Sequence, residues 1–359
     1  MTLTQKPTVC IKVPKTQGEK TIALACKLGL FDKLLEIQWD GDLLYIPLLR
    51  QPKNSELTMI KEQLPDYILE TKHFAQKKST AQTLTQALQG KIPANLMAKV
   101  PQALDAIGDI AIIEVPLELK TYSDLIGQAI LRTHKNIKTV FAKAGAVGGV
   151  YRVRELVLIA GKDKTQSVYR EFGCTYHIDV TKAYFSPRLS HEHERVASLV
   201  QAGESVVDLF AGVGPFAVLI AKRNPSVKVF AVDLNPDAAE LLGTNVRVNR
   251  VENRVFPILG DARKITSTKL EGIADRVIMN LPETAIEFVD AACQSLKPKG
   301  GIIHFYAFIR QPNTIEHLKQ TFSEIVQKAN RKVEAFLCER SVRETAPYES
   351  QVVLDAKVN

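Results

Sequence analysis

The sequence predicts an α/β chain whose carboxyl-terminal part, from about residue 196, folds around a mainly parallel, seven-stranded sheet. In VVDLFAGVGPFAVLIA, Val206 to Ala221, an apolar strand ends at Asp208, a small-residue turn follows and an apolar helix begins. In VFAVDLNP, Val229 to Pro236, a second apolar strand ends in an acidic residue, 25 positions beyond the first. The apolar run SQVVLDA, Ser350 to Ala356, is expected to add an antiparallel last strand. This pattern is typical of a Rossmann-like domain.

Two smaller α/β units are predicted to precede that domain. Residues 1 to 70 contain a strand, a helix that ends at Gly29 and two strands around an Asp40–Gly41 turn. The polar stretch Leu69 to Gln82 is typical of a linker. Residues 83–195 form the second unit, and residues 196–359 the Rossmann-like domain.

The second unit shows its own strand and helix signals. A buried strand is predicted over Ile110–Val115, and Ser123 is expected to cap the helix that follows. A glycine pair then leads into a strand that is expected to carry Arg152 and Arg154 on one face. A strand pair and a helix are predicted before residue 196.

Composition indicates an ordinary globular protein of 359 residues, with 45% hydrophobic and 24% charged side chains. No apolar run approaches the roughly 20 residues that a membrane span needs, and the chain begins without the apolar core of a signal peptide. We therefore expect a cytoplasmic protein without a membrane partner. The five cysteines lack C-x-x-C spacing and are expected to be buried thiols, and the seven histidines are scattered, so no metal site is expected.

The net charge of +8 is concentrated in the amino-terminal half. Residues 1–195 contain 27 Lys and Arg against 20 Asp and Glu, whereas the rest contains 20 against 19. A polyanion that contacts mainly the amino-terminal half would explain this asymmetry, although a contribution to solubility alone would also explain it.

The glycine-rich turn favours a nucleoside-type cofactor. Gly212 and Gly214 let a ligand approach the backbone, and the helix that follows presents free N–H groups. A carboxylate at Asp233 can accept hydrogen bonds from both hydroxyls of a ribose. The third glycine of a dinucleotide motif is either replaced by Ala217 or absent, which disfavours a pyrophosphate.

This turn resembles the first motif of class I S-adenosylmethionine methyltransferases. GDAR (Gly260–Arg263) and NLPE (Asn280–Glu283) follow it at the ends of later predicted strands. The polar STKLEG stretch between the two motifs is interpreted as a loop insertion. The longer set IGDIAIIEVP, REFGCTYHIDVTKAYFSPRLSHE, DLFAGVGPF, VDLNP, GDAR and NLP resembles the archaeal and eukaryotic tRNA methyltransferases that act on N1 of guanine at tRNA position 37. The resemblance covers nearly the whole chain.

The resemblance implies a Rossmann-like class I methyltransferase domain preceded by two smaller α/β (α+β) RNA-binding domains. It implies S-adenosyl-L-methionine as the cofactor. It also implies that a monomer binds tRNA at the anticodon loop and the outer corner, through the basic amino-terminal half.

N1 of guanine carries a proton at neutral pH, so its methylation needs a base, a cation near O6 and a rigid contact to the ring. Glu192 is placed to be the base and matches the glutamate so assigned in the family, with Glu194 as the competitor and a first-turn helix glutamate as the structural alternative. Arg152 matches the arginine that stabilises charge on O6, with Arg154 as the alternative. The resemblance further assigns three residues near the base and the reacting methyl group: Asn280, Pro282 and Tyr184.

Cofactor contacts are likewise implied by the resemblance. They divide into the methionine moiety (Asp208, Gly212 and Gly214), the ribose (Asp233), the adenine (Leu234, Asp261 and Ala262) and the strand end that faces the sulfonium (Asn280). Phe210 is included as a further cofactor contact. His193 stands where many relatives have arginine, which leaves open a contact to the cofactor carboxylate from this position.

Two other functions remain open. One is a wyosine-pathway step of the same family, either C7 methylation of the tricyclic guanine derivative or aminocarboxypropyl transfer. The other is a non-catalytic RNA-binding protein, against which the joint presence of Arg152, Glu192 and the NLP sequence argues, because binding alone requires no general base.

Overall fold

The computed structural model describes residues 6–64, 66–75, 83–149 and 151–359. Its contacts divide the chain into an amino-terminal unit that ends at Gln82 and a larger unit that begins at Thr83. None of the helices within the described ranges is both long enough and apolar enough to span a bilayer.

The amino-terminal unit is an antiparallel sheet in the order β2-β3-β1-β4 with two helices. Its elements are β1 (Lys6–Pro14), α1 (Gly18–Lys27), β2 (Gln38–Asp40), β3 (Leu43–Pro47), α2 (Asn54–Gln63) and β4 (Ile68–Phe74). Apolar side chains of α1, α2, β1 and β3 form one core. The predicted turn at Gly41 and the end of the helix at Gly29 are confirmed, and both glycines have positive φ, 55° and 65°.

The predicted linker Leu69–Gln82 is wrong in its first part. Backbone pairing with β1 continues through β4 as far as Phe74, so this polar segment is an edge strand of the first sheet. Residues 76–82 lie outside the described residues.

The larger unit begins with a second, mixed sheet in the order β5-β6-β7-β8, in which only β6 and β7 are parallel. Its elements are α3 (Leu84–Leu88), β5 (Asp105–Ile107), β6 (Ile110–Ile113), α4 (Ser123–Thr133), β7 (Thr139–Gly148) and β8 (Val153–Gly161). Gly127 lets α4 pack closely on β8, because a Cβ at this position would lie 2.7 Å from that of Ala160.

Two local predictions in this region are wrong. Ser123 is the first residue of α4 and not its cap, and its hydroxyl donates backward to the carbonyl of Lys120 at 2.7 Å. Arg152 precedes β8 in a left-handed turn with φ of 55°, so Arg152 and Arg154 do not share a strand face.

The rest of the unit is a hairpin, a connecting helix and a seven-stranded sheet. These elements are β9 (Gln166–Glu171), β10 (Cys174–Asp179), α5 (Ser190–Leu199), β11 (Ser205–Asp208), α6 (Pro215–Arg223), β12 (Lys228–Asp233), α7 (Pro236–Val248), β13 (Val255–Leu259), α8 (Ala262–Ile265), β14 (Arg276–Met279), α9 (Val289–Ser295), β15 (Gly301–Arg310), α10 (Ile315–Lys328), β16 (Val333–Ala346) and β17 (Glu349–Val358).

The sheet runs β13-β12-β11-β14-β15-β17-β16. Its first five strands are parallel, and β17 is antiparallel to both of its neighbours. The predicted seven-stranded sheet and its antiparallel last strand are confirmed.

STKLEG is not a loop insertion, because Thr266–Leu270 continues α8 as a π-helical turn. Two thiols also differ from the prediction, since Cys26 is exposed and Cys338 is half-buried.

The β9–β10 hairpin is held to α7 by two buried asparagines. Asn245 accepts from the amide of His177 at 2.7 Å and donates to the carbonyls of His177 and Val213 at 3.1 and 2.9 Å. Asn249, the residue after α7, accepts from the amide of Thr175 at 2.9 Å and donates to its carbonyl at 2.6 Å. A single apolar core extends from the second sheet through the hairpin to α6 and α7. The predicted domain boundary at residue 195 stays a prediction.

Replacing Asn245 with Ala is expected to destabilise the protein by about 2–4 kcal/mol, because the amide and carbonyl of His177 and the buried carbonyl of Val213 lose their partner. Denaturant unfolding would measure the difference. The matched control is Asn253→Ala, since Asn253 is exposed and should change little. Equal stability of the two variants would contradict this account of the hairpin.

Candidate active site

A cleft of about 960 Å³ opens where the carboxyl ends of β11, β12 and β14 face the turn between β7 and β8. Both the second sheet and the seven-stranded sheet contribute to it, and both belong to the larger unit. Parallel strands place their carboxyl ends at one edge, so polar residues that are distant in sequence meet there. The predicted site residues that line it are Arg152, Tyr184, His193, Phe210, Gly212, Asp233, Leu234, Asp261, Ala262, Asn280 and Pro282.

The glycine turn after β11 is fixed to the end of β12. The amide of Gly212 donates to Oδ2 of Asp233 at 2.7 Å, and the amide of Asn235 donates to Oδ1 at 2.9 Å. Gly212 has φ of 54° and lines the cleft. Each carboxylate oxygen of Asp233 keeps further lone-pair capacity, so the group can still accept from a ligand.

Gly214 and Asp208 do not line the cleft, in contrast to the predicted direct contacts. Gly214 has φ of 89°, and a Cβ there would collide with the side chain of Leu242, so this glycine serves the turn and the packing of α7. Asp208 lies fully buried beneath the turn. Its Oδ1 accepts weakly from the amide of Phe210 at 3.4 Å, and its Oδ2 has no partner among the residues described. Burial, assisted by the charge of Asp233, raises the pKa of Asp208 to about 7.

One end of the cleft suits a nucleoside. Asp233 ends β12, and the next residue, Leu234, presents an apolar side chain that is 42% exposed. Asp261 is the N-cap of α8, and its Oδ1 accepts from the amide of Lys264 at 3.0 Å. Both Asp261 and Ala262, the first residue of the helix, line the cleft. An acceptor for ribose, an apolar surface for a ring and a polar edge therefore meet within one pocket, as the proposed cofactor requires.

The opposite wall carries a chain of polar contacts that ends at Asn280. Arg343 of β16 donates to the hydroxyl of Ser186 at 3.1 Å and to Oε1 of Gln351 at 2.9 Å, and its other nitrogen lies 3.5 Å from the hydroxyl of Tyr184. Gln351 in turn donates to Oδ1 of Asn280 at 3.4 Å. These contacts orient the side-chain amide of Asn280, which lines the cleft.

Arg152 lines the cleft and forms an ion pair with Glu283, the residue after the NLP sequence. Both side chains are partly exposed, so the pair can open without a large desolvation cost. The guanidinium is therefore available to a ligand with a negatively polarised oxygen.

His193 lies in the cleft wall on α5 and is only 1% exposed. Its Nδ1 is 2.7 Å from Oε1 of Glu171, and its ring packs edge-on against Phe216 at 4.7 Å between centroids.

Glu192 does not line the cleft and is 1% exposed, contrary to the expected position of the base. Its carboxylate accepts from the hydroxyl of Tyr306 at 2.8 Å and from Nε of Arg195 at 3.1 Å, and it also pairs with Arg340. One turn of α5 thus places Glu192 in a buried charge cluster and His193 at the wall of the cleft. The competitor Glu194 pairs with Arg223 and does not line the cleft either.

The sequence interpretation missed Arg343, Gln351, Glu283 and Glu171. Gln351 directly precedes the apolar run VVL of β17, and a buried polar side chain in such a place is a usable signal. Arg343 and Glu283 line the cleft, whereas Glu171 reaches the site only through its contact with His193. Glu283 directly follows the NLP sequence, whereas only the fold brings Arg343 and Glu171 here. Within the described ranges, no three His, Cys, Asp or Glu side chains converge to hold a metal ion.

Three family models match successive segments of the chain. The model described as the TRM5/TYW2 methyltransferase domain matches residues 167–334, the TYW2 N-terminal domain matches 84–165, and the tRNA methyltransferase 5 N-terminal domain matches 10–56.

Among individual relatives, the chain is 38% identical to tRNA (guanine(37)-N(1))-methyltransferase Trm5b of Pyrococcus abyssi, over 98% of this chain and 99% of the relative. It is also 38% identical to tRNA 4-demethylwyosine(37)-methyltransferase Taw21 of Saccharolobus solfataricus, over 71% and 94%.

Two solved structures show similar folds. The complex of aTrm5 with tRNALeu matches with a TM-score of 0.68 and 30% identity, over 98% of this chain and 100% of the other. Methanocaldococcus jannaschii TYW2 in complex with AdoMet matches with a TM-score of 0.56 and 26% identity, over 72% and 99%.

Replacing Asp208 with Asn should stabilise the ligand-free protein more at high pH than at low pH. The pKa of Asp208 is raised from 3.8 to about 7 in the folded protein, so its ionisation costs stability as pH rises through this interval, whereas Asn is neutral throughout. Melting temperatures at pH 5, 6, 7 and 8 would test this. The excess of the variant over wild type should grow with pH and level off above about 7. A constant difference would contradict the buried, ionising carboxyl.

Proposed function

The chain belongs to the TRM5/TYW2 methyltransferase family, and from this premise we propose that it transfers a methyl group from S-adenosyl-L-methionine to N1 of guanine 37 in tRNA. The observation that carries the proposal is a single cleft in which a nucleoside pocket, built on Asp233 and Asp261, faces Arg152 and Asn280. The full-length relationship to a tRNA (guanine(37)-N(1))-methyltransferase supports it.

The cofactor would be held at the ends of three strands. Asp233 would accept from the ribose hydroxyls, Leu234 and Phe210 would pack on the adenosine, and Asp261 with Ala262 would meet the edge of the adenine. When bound, the cofactor supplies an electrophilic methyl group on a sulfonium. Asn280, whose strand end is stiffened by Pro282, would lie beside that group.

The target guanine would lie between Tyr184 and Asn280, with O6 toward Arg152. Arg152 can leave Glu283 and donate to O6, where negative charge develops as N1 loses its proton. Tyr184 is 40% exposed in the cleft and offers a flat surface for the base. Asn280 can both accept from and donate to the guanine edge, and the contact from Gln351 orients it.

Glu192 is proposed as the base that receives the N1 proton. To do so, its side chain must leave Arg340 and Tyr306 and turn toward the cleft, because these contacts enclose the carboxylate. Arg340 belongs to β16, whose pairing with β17 is interrupted by four register shifts, and the same strand carries Arg343 into the cleft. A tRNA that contacts Arg343 could therefore shift β16 and weaken the contact between Arg340 and Glu192.

The basic amino-terminal half is proposed to bind the tRNA at its anticodon loop and outer corner, with one monomer acting on one tRNA in the cytoplasm. The excess of positive charge before residue 196 supports contact with phosphates.

A second candidate is methylation of the tricyclic guanine derivative, which the similarity to Taw21 over 71% of the chain favours. Incubation with unmodified tRNA transcript and labelled cofactor, followed by mass spectrometry of the nucleosides, would separate the two. Formation of 1-methylguanosine supports the proposal. Labelling only of tRNA that already carries the tricyclic base would replace it by the second candidate, and no labelling of either RNA would favour a binding protein.

Replacing Asp233 with Ala should weaken cofactor binding by about 1.5–3 kcal/mol, since a charge-assisted acceptor for the ribose is lost. Isothermal calorimetry would measure it. Asp237→Ala is the control, because Asp237 lies four residues on, pairs with Lys182 and does not line the cleft. If the Asp233 variant binds the cofactor with unchanged affinity, this carboxylate does not contact the cofactor.

Replacing Glu192 with Gln should lower the single-turnover rate by about 10²–10⁴, because the amide cannot take up the N1 proton. Binding of tRNA and cofactor should change little. Glu194→Gln is the matched control and should retain its rate. A Glu192 variant that transfers methyl groups at the wild-type rate would leave Glu192 with only the structural role that its cluster gives it.

A further inference from the structure

Arg343 of β16 lies in the cleft wall as a cation without a carboxylate partner. Its hydrogen-bond partners Ser186, Gln351 and Tyr184 are uncharged, and no ion pair within the described ranges includes it. We propose that this guanidinium binds a backbone phosphate beside the target nucleotide of the RNA. The inference rests on the proposed function and adds an RNA contact outside the basic amino-terminal half.

Other charges of the cleft are neutralised within the protein. Three further cations that line it each pair with a carboxylate: Lys143 with Glu114, Arg152 with Glu283, and Arg188 with Asp105. Glu349, which also lines the cleft beside Arg343, pairs with Arg310. Arg343 is half-buried among neutral groups, so an anion from outside the protein would supply the missing counter-charge.

The guanidinium is fixed in place and still has donors to offer. Nε donates to Oε1 of Gln351 at 2.9 Å, Nη1 donates to the hydroxyl of Ser186 at 3.1 Å, and Nη2 lies 3.5 Å from the hydroxyl of Tyr184. An arginine side chain carries five N–H groups, so these contacts leave one on each terminal nitrogen. Two donors on one rigid plane match two oxygens of a phosphate.

The position of Arg343 favours the RNA over the cofactor. Arg343 approaches Tyr184 directly and reaches Asn280 through Gln351, and in the proposed function Tyr184 and Asn280 lie on either side of the target base. The full negative charges of RNA are on its backbone phosphates. A base that reacts inside a cleft has to leave its stack, and a held phosphate would keep the adjoining backbone at the entrance.

The salt dependence of tRNA binding tests the charge. Unmodified tRNA transcript would be titrated into complexes of S-adenosylhomocysteine with wild type, Arg343→Gln and Arg343→Lys from about 50 to 200 mM salt. One phosphate contact contributes roughly 0.7–0.9 to the slope of log affinity against log salt, so Arg343→Gln should lose about this much. Arg343→Lys keeps the charge and should keep the wild-type slope.

Lys328→Gln is the matched control. It removes one positive charge from an exposed residue at the end of α10 that does not line the cleft, so its slope should equal that of wild type. A loss of slope in this variant as large as in Arg343→Gln would show an effect of net charge alone and would overturn the proposal.

An uncharged phosphate substitute locates the contact on the RNA. Two tRNAs would carry a methylphosphonate in place of the phosphate on the 5′ or the 3′ side of guanosine 37. One of these changes should weaken binding to wild type by about 10-fold, as expected for a charge-assisted contact. The same change should have little further effect on Arg343→Gln, because the partner of that phosphate is already gone.

Equal salt slopes of wild type and Arg343→Gln, or wild-type binding that neither methylphosphonate weakens, would overturn the proposal and leave Arg343 only its contacts to Tyr184, Ser186 and Gln351. A weaker affinity of Arg343→Gln for S-adenosylhomocysteine without RNA would instead assign the guanidinium to the cofactor. Methyl transfer by wild type is scored separately. If wild type binds the transcript without forming 1-methylguanosine, the proposed function fails while the salt slopes still test Arg343.

Discussion

The ion pair between Arg195 and Asp355 is the contact on which the position of the cleft wall depends. Nη1 of Arg195 lies 2.5 Å from Oδ2 of Asp355 and joins α5 to β17, at the antiparallel end of the sheet. Burial alone would raise the pKa of Asp355, but hydrogen bonds from His304 and Arg195 bring it down to about 2. His304 is kept neutral by burial, so it donates through Nδ1 to Asp355 and accepts from Arg276 at 2.8 Å. A buried charge without its partner costs several kcal/mol, so the cluster tolerates few arrangements of α5.

Fixing α5 in this way gives two adjacent residues opposite surroundings. Successive side chains on a helix point about 100° apart, so Glu192 enters the charge cluster while His193 enters the cleft. The cluster neutralises Glu192 with Arg195 and Arg340. The position of the proposed base therefore depends on this anchored turn. A rotation of α5 about its axis would carry Glu192 out of the charge cluster.

The sequence correctly predicted which residues at strand ends line the cleft. It failed for residues whose side-chain direction depends on elements distant in sequence. Asp233 and Asn280 follow apolar strands of a parallel sheet, and the fold leaves their side chains no place other than the shared edge. Gly214 and Glu192 lie as close to the motifs in sequence, yet one supports the packing of Leu242 and the other faces inward. These outcomes depend on α7, β15 and β16, which meet the motif only after folding. Arg343 could not have been selected from sequence, because nothing local distinguishes it from the other charged residues of β16.

The polar wall of the cleft provides a physical basis for choosing guanine over adenine. Arg152 has only donors, and the guanine edge presents an acceptor at O6 where adenine presents an amino group. Adenine in the same position would leave the guanidinium facing another donor after its ion pair with Glu283 had opened. A site built to pair with an acceptor rejects a ligand that lacks one far more strongly than an apolar pocket would. A modified guanine that keeps its carbonyl would satisfy Arg152 equally well, so in the proposed function this residue would set the class of base and not the stage of modification. The discrimination between guanine and its tricyclic derivative must then come from the room around Tyr184 and Asn280, where a third ring would have to fit.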